Sequence, residues 1–260
     1  MPRTVCATRY VAPLREGGSL PAIVEADDLG LYVLKFRGAG QGPLALVAEL
    51  IAGEIGRALG LNVPEIVFVQ LDSALGRNEP DEEIRDLLRA SVGLNLALDY
   101  LPGSVMFDPA AHDRADCDLA SRAVWFDAFV TNVDRTAHNP NLLLWHKTPY
   151  FIDHGAALYF HHDWPSRERM AVSPFAPIRN HLLLPWAGAI AEADTALRPM
   201  LNDDVFTRIV AAIPEDWLAP TVDAGEVSAR RDGYISFLSR RLAAAPNFVE
   251  EAIRARAAIV

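Results

Sequence analysis

Along the first hundred residues the hydrophobic and polar positions alternate between two periods, one that fits strands and one that fits helices. Residues 20–25 and 31–36 are short runs rich in Ile, Val and Tyr, separated by Asp27-Asp28-Leu29-Gly30, which predicts a β-hairpin. From Pro43 the pattern turns helical: Leu46, Leu50, Ile51, Ile55, Ala58 and Leu59 fall on one face, with Gly60 placed to cap the end. A strand is expected over 63–71. A short amphipathic helix follows, carried by Ile84, Leu87 and Leu88, with Asn78 as its expected cap and acidic residues in its first turn. Residues 94–101 read as another strand, closed by Pro102-Gly103, where the chain is expected to pass from one unit (1–101) to another (102–260). Beyond it helix signals dominate. Leu119, Ala123, Phe126 and Val130 predict a buried helix over 118–131, and 142–145 and 150–152 predict a second hairpin with its turn at 146–149.

Composition narrows the class. A chain of 260 residues with 51% hydrophobic content can bury a sizeable core. Residues 1–14 lack the apolar block of a secretory signal, and no uncharged apolar run is long enough to span a membrane. Cys6 and Cys117 are too few for a disulfide framework, so a reducing, cytoplasmic setting is expected. A net charge of −10 with no basic run argues against a direct nucleic-acid partner.

The chemistry concentrates after the buried helix, in Thr131-Asn132-Val133-Asp134-Arg135-Thr136-Ala137-His138-Asn139-Pro140-Asn141. The second hairpin should return Asp153 to the neighbourhood of Asn139, so that oxygen-bearing side chains converge. Phosphoryl transfer needs such a set: a carboxylate beside the incoming hydroxyl and hard oxygen ligands that hold magnesium against the phosphates. Asp134 with Asn139 five residues later matches a kinase catalytic loop, and Asp153-His154-Gly155 takes the place of the metal-binding Asp-x-Gly segment. Upstream, Lys35 ends an apolar strand, where an ammonium is costly without a partner. Glu49 on the following helix is the expected partner, with Glu54 in reserve. Gly17, Gly18 and Ser19 before the first hairpin, and Gly38, Gly40 and Gly42 after Lys35, could bring backbone N–H groups to phosphate. The chain has neither a Walker-type phosphate loop nor a Rossmann glycine fingerprint.

These residues together resemble the HipA-like kinases, a bacterial branch of the protein-kinase-like fold whose catalytic loop is also similar to that of phosphatidylinositol kinases. The resemblance runs from about residue 14 to residue 162. It implies a two-lobed α+β fold, with an N-terminal antiparallel sheet and one helix (1–101) and a mainly helical C-terminal lobe (102–260). It also implies ATP and Mg2+ as cofactors, and transfer to a hydroxyl acceptor, foremost a serine or threonine of a protein. Lys35 would bind phosphate, Asp134 would act as catalytic aspartate, and Asn139 and Asp153 would hold the metal. Asp99, Tyr100 and Leu101, in a hinge over 94–103, would meet adenine. Relatives phosphorylate a serine in their own phosphate-binding loop, and Ser19 is the matching residue. The family pattern has histidine two residues after the catalytic aspartate, whereas this chain has Thr136 there and its histidine at position 138. The length also implies a compact relative without the extra N-terminal segment of full-length HipA toxins.

Two other readings compete. Six of the seven histidines fall between His138 and His181, and with Asp134, Asp153 and Asp163 they could form a transition-metal site for hydrolysis. Alternatively, Thr136 in place of histidine could mark a nucleotide-binding pseudokinase. Trp164, Phe175 and Trp186 are expected either to pack or to face an acceptor.

Overall fold

A computed structural model describes residues 2–14, 20–40, 42–77, 79–223 and 225–259. Gly17, Gly18, Ser19 and Asn78 therefore lie outside the described residues.

The chain begins with β1 (Thr4–Pro13), β2 (Ala22–Ala26) and β3 (Leu31–Lys35), then α1 (Pro43–Ala58), β4 (Ile66–Leu71), α2 (Glu82–Ala90) and β5 (Gly93–Asp99). The five strands close into a barrel in the order β1-β2-β3-β5-β4. This departs from the expected antiparallel sheet, because β1 closes a barrel by pairing parallel to β4, Thr4 against Phe68 and Cys6 against Gln70. Both helices expected between these strands are present, so the lobe carries the short α2 beside the single helix that the family resemblance implies. The alternation of β2 and β3 sends Ala22, Val24, Ala26, Tyr32 and Leu34 into the barrel, where they meet Val67, Val69, Leu71 and Ala97. At the β2–β3 turn the Gly30 N–H bonds Asp28 Oδ1 at 3.0 Å, the Asx pattern anticipated by Asp-Asp-Leu-Gly. The α2 helix is capped by Asp81, whose carboxylate accepts from the N–H groups of Glu83 and Ile84.

α1 lies between the barrel and the rest of the chain and is buried on nearly every face, which explains its continuous apolar run. Its glycines permit close approach. A Cβ at Gly53 would lie 2.5 Å from Ile66 Cδ1, and one at Gly56 would lie 3.1 Å from Val63 Cγ2. One core continues from α1 across β4 and β5 into the following helices.

The remainder comprises β6 (Val105–Met106), α3 (Cys117–Phe129), β7 (Leu142–Trp145), β8 (Thr148–Phe151), α4 (Arg167–Ala171), α5 (Ile190–Leu197), α6 (Asp203–Ala211), α7 (Glu215–Leu218), α8 (Val227–Ala243) and α9 (Ala245–Ala257). The Asp116 carboxylate caps α3 through the Leu119 N–H at 2.8 Å. β6, β7 and β8 form a small antiparallel sheet, with His146 and Lys147 both at positive φ in the two-residue turn joining β7 to β8. Among the described residues no helix is long and apolar enough to cross a membrane.

Arg241 on α8 ties this part together. Its side chain is fully buried, and it donates to Ala128 O (2.7 Å) and Phe129 O (3.2 Å) at the end of α3, and to Ala171 O (3.3 Å) and Ser173 O (2.6 Å) at and beyond the end of α4. Helix C-termini leave carbonyls without intrahelical partners and carry negative partial charge, so one guanidinium satisfies both ends at once. Arg241→Leu should therefore lower unfolding free energy by about 3 kcal/mol, since it leaves several buried carbonyls unmet. Urea denaturation with an unchanged m-value would check this, and a loss below half that size would count against the tether.

Candidate active site

Leu34 points into the barrel, so Lys35, the next residue along β3, projects to the opposite face, against α1. Its ammonium lies 2.5 Å from Glu49 Oε2 and 2.6 Å from Asp153 Oδ1. Glu54 instead faces Arg57 at 3.5 Å, one turn along the same helix. Burial disfavours the charged lysine, but Asp153 and Glu49 outweigh it and raise its proton affinity above the ordinary lysine value. Burial likewise works against ionised Glu49, yet Lys35 and the bonds from His154 bring it down to about 2.

Glu49 has a further function. Its Oε2 accepts the His154 N–H at 2.7 Å, and its Oε1 meets His154 Nδ1 at 3.3 Å. One carboxylate in the middle of α1 thus fixes both the β3 lysine and the Asp153-His154-Gly155 segment. Asp153 has φ 54°, a left-handed conformation unusual for a residue with a Cβ, and the surrounding bonds hold it there. A small pocket opens beside it, lined by Lys35, Phe36, Ala39, Gly42, Asp153 and Gly155.

The catalytic-loop residues follow the end of α3. The Asn132 side-chain carbonyl accepts the Asp134 N–H at 3.1 Å, and Thr136 and Asn139 exchange backbone bonds of 3.0 and 3.2 Å, which makes the loop a tight turn. Asn139 Nδ2 donates to Asp134 Oδ2 at 2.7 Å, and Asn141 Nδ2 approaches the same oxygen at 3.4 Å. Burial, with help from the nearby Asp153 charge, raises the Asp134 pKa above the ordinary aspartate value, against the Asn141 and Asn139 bonds. Asp134 and Asp153 are thus close enough to interact electrostatically. The hairpin accounts for this, because the Ile152 N–H bonds Asn141 O at 3.1 Å and brings its two ends together.

A buried ionic network that sequence reasoning missed lies beneath the loop. Asp127, inside α3, accepts from Asn132 Nδ2 (3.0 Å), Arg135 Nε (2.6 Å) and His181 Nε2 (2.9 Å). The His181 ring proton is on Nε2, because Nδ1 accepts the Leu183 N–H at 3.0 Å. Arg135 and the other donors hold the Asp127 carboxyl far below the usual range despite its burial. Arg135 also donates to Asn141 O and to Ile152 O, the two ends of the hairpin. The signal was a lone carboxylate in the apolar run Val124-Trp125-Phe126-Asp127-Ala128-Phe129, where an unpaired charge would be untenable.

Other expected residues lie elsewhere. Asp99, Tyr100 and Leu101 do not line the pocket at Lys35. The Asp99 N–H is bonded to Glu65 O at 2.8 Å and the Tyr100 N–H to Leu31 O at 3.0 Å. The histidines disperse: His154 is on Glu49, His181 on Asp127, and His161 on the Tyr234 hydroxyl at 3.2 Å, while His138 is exposed. Among the described residues no three His, Cys, Asp or Glu side chains gather as a metal cluster, so the transition-metal reading gains no geometric support. Phe175 is buried and Trp186 packs edge-on against Phe107, so these two serve packing.

Comparison with known proteins supplies the family. A model of the HipA-like kinase family matches residues 8–248. The chain belongs to that family. A crystal structure of a Helicobacter pylori proinflammatory kinase, CtkA, superposes with a TM-score of 0.55 at 14% identity, covering 92% of this chain and 95% of that one. At that identity the likeness speaks for a shared kinase-like fold. Among curated proteins none matches the chain. The HipA-like kinase assignment makes the protein a phosphotransferase of mixed α+β architecture.

The electrostatics give a first test. Lys35→Met would leave Glu49 ionised and unpaired by any cation in the core, and should cost about 3 to 5 kcal/mol. Lys35→Met combined with Glu49→Gln should recover part of that loss. Because the folded pKa of Glu49 is depressed, its contribution is present above 4.5 and disappears as pH falls towards about 2. Urea unfolding across that interval should show this acid dependence reduced in Glu49→Gln, and equal slopes in both proteins would refute it.

Proposed function

We propose that this HipA-like kinase transfers the γ-phosphoryl group of ATP, with Mg2+, to a serine or threonine hydroxyl of a protein. The observation that carries the reading is the single ammonium of Lys35 held between Glu49 on the neighbouring helix and Asp153 of the Asp-His-Gly segment. Phosphoryl transfer depends mainly on positioning and charge stabilisation, so a pre-set lysine beside a pair of acidic and amide oxygens is the arrangement it requires.

In this reading residues 1–101 form the ATP-binding lobe and 102–260 the catalytic one of a cytoplasmic enzyme. Lys35 draws the phosphates. Asp99, Tyr100 and Leu101 meet adenine, and since the first two have spent their N–H groups on Glu65 and Leu31, Leu101 is the residue left to donate. Asp153 and the Asn139 side-chain oxygen hold magnesium. The fit is chemical: both are hard oxygen donors, and Asn139 uses its Nδ2 on Asp134, which leaves its Oδ1 for a cation. Magnesium bound there would neutralise charge on the phosphates. Asp134, fixed by Asn132, Asn139 and Asn141, orients the acceptor hydroxyl and takes its proton. Arg135 keeps that loop and the hairpin carrying Asp153 in one register. Gly17, Gly18 and Ser19 complete the proposal as a phosphate-contacting loop, with Ser19 as its self-modified residue.

Single-turnover transfer from γ-labelled ATP tests the assignment. Asp134→Asn should slow the step by about a hundred- to ten-thousandfold while leaving nucleotide binding nearly intact. Lys35→Met should weaken transfer comparably. Wild-type rates in Asp134→Asn would overturn its assigned role, and a wild type as slow as Asp134→Asn would favour a nucleotide-binding pseudokinase.

A further inference from the structure

A second concave site lies away from the residues assigned to nucleotide. It is formed by Trp164 and Arg167, which follow the Asp153 segment in the chain, and by Thr221, Val222, Ala229 and Arg230 around the start of α8. The indole of Trp164 forms its wall. That ring is fixed by Phe160 (5.7 Å between centroids) and Tyr234 (5.2 Å), and it lies directly on the backbone of α8: a Cβ at Gly233 would come within 2.4 Å of Trp164 Cζ2.

Two guanidiniums flank this one indole, Arg230 at 3.9 Å from the ring centroid and Arg167 at 5.3 Å. Each uses few of its donors, and only on carbonyls. Arg167 Nη1 donates to Trp164 O at 3.2 Å and Arg230 Nη2 to Thr221 O at 2.6 Å, and neither forms an ion pair among the described residues. Arg230 Nη1 is shut off from water with no hydrogen-bond partner. Burial lowers the proton affinity of Arg230, and the Arg167 charge lowers it further by like-charge repulsion, while Tyr234 and Glu226 act in the opposite direction. Unspent donors and like-charge repulsion are both relieved by the same thing, a multidentate oxyanion between the guanidiniums. Asp223 and Glu226 also line the rim, but both side chains are exposed, where solvent weakens their opposition.

We propose that the Trp164–Arg167–Arg230 pocket is a second, anion-binding site that takes a phosphoryl group, gripped by the Arg167 and Arg230 guanidiniums against the Trp164 ring. The source is either free phosphate or a phosphorylated side chain, and the chemistry of recognition is common to both. The proposal stands on this pocket's own geometry and does not depend on how the Lys35 site is used.

Calorimetric titration of the full chain with inorganic phosphate, and separately with a phosphoserine peptide, tests it. Wild type should bind at least one probe. Arg230→Met and Arg167→Met should each weaken that binding at least about tenfold, the weight of one charge-assisted hydrogen bond, while Lys35→Met leaves it unchanged. Preference for the peptide assigns the site to a protein-borne phosphate, and preference for the free ion assigns it to phosphate itself. If Arg230→Met fails to fold, Arg167→Met, at the half-exposed start of α4, decides alone. Absence of binding by wild type, wild-type affinity in the arginine variants, or a loss confined to Lys35→Met would each overturn the proposal.

Discussion

One carboxylate placed inside a hydrophobic helix organises this protein. Glu49 is completely buried on α1, a position that ionised glutamate rarely occupies, and it is sustained there by Lys35 and by the backbone N–H and ring Nδ1 of His154. The barrel, the helix and the Asp-His-Gly segment therefore share one electrostatic contact. Geometry at the site and integrity of the core are coupled through it. Removing either partner exposes the other to the full cost of burial, although replacing both by well-packed apolar groups need not be costly.

A second ionic centre repeats the logic one layer deeper. Asp127 gathers Asn132, Arg135 and His181 beneath the catalytic loop, and Arg135 reaches on to both ends of the β7–β8 hairpin. Asp134 is thus carried by a loop tied from beneath through Asn132 and Arg135, while its own carboxylate stays half-buried and close to Asp153. The upper centre relates strand to helix, and the lower relates loop to hairpin. The upper centre fixes Lys35 beside Asp153, and the lower supports the loop that carries Asp134.

Much of this was legible in the sequence, for identifiable reasons. Short runs rich in Ile, Val and Tyr around an Asp-Asp-Leu-Gly turn marked β2 and β3, the 3.6-residue period marked α1 and α3, and a lysine stranded among apolar neighbours pointed to Glu49. The family resemblance then joined Lys35, Asp134, Asn139 and Asp153 into one proposed site, and the family itself is the one that matches. What escaped was long-range or masked by chemistry. β1 is half polar, with Thr4, Arg9 and Tyr10 among its residues, and its place was set by a parallel partner distant in the chain. Asp127, Arg135 and His181 come from three segments, and no local period relates them. The helix cap at Asp81 rather than Asn78 reflects the choice among several adjacent polar residues, which spacing alone does not make.

The way β1 completes the barrel bears on how the protein comes into being. Synthesis delivers β1 first, yet its parallel mate β4 emerges only after β2, β3 and the whole of α1. Until then one side of the nascent strand has no ladder to join, and ribosome-bound chains remain open to pairing with a neighbour. Closure also requires a contact of high sequence separation, the kind that slows folding. The parallel β1–β4 ladder is therefore a cost of folding order, separate from the contacts that hold the finished barrel together.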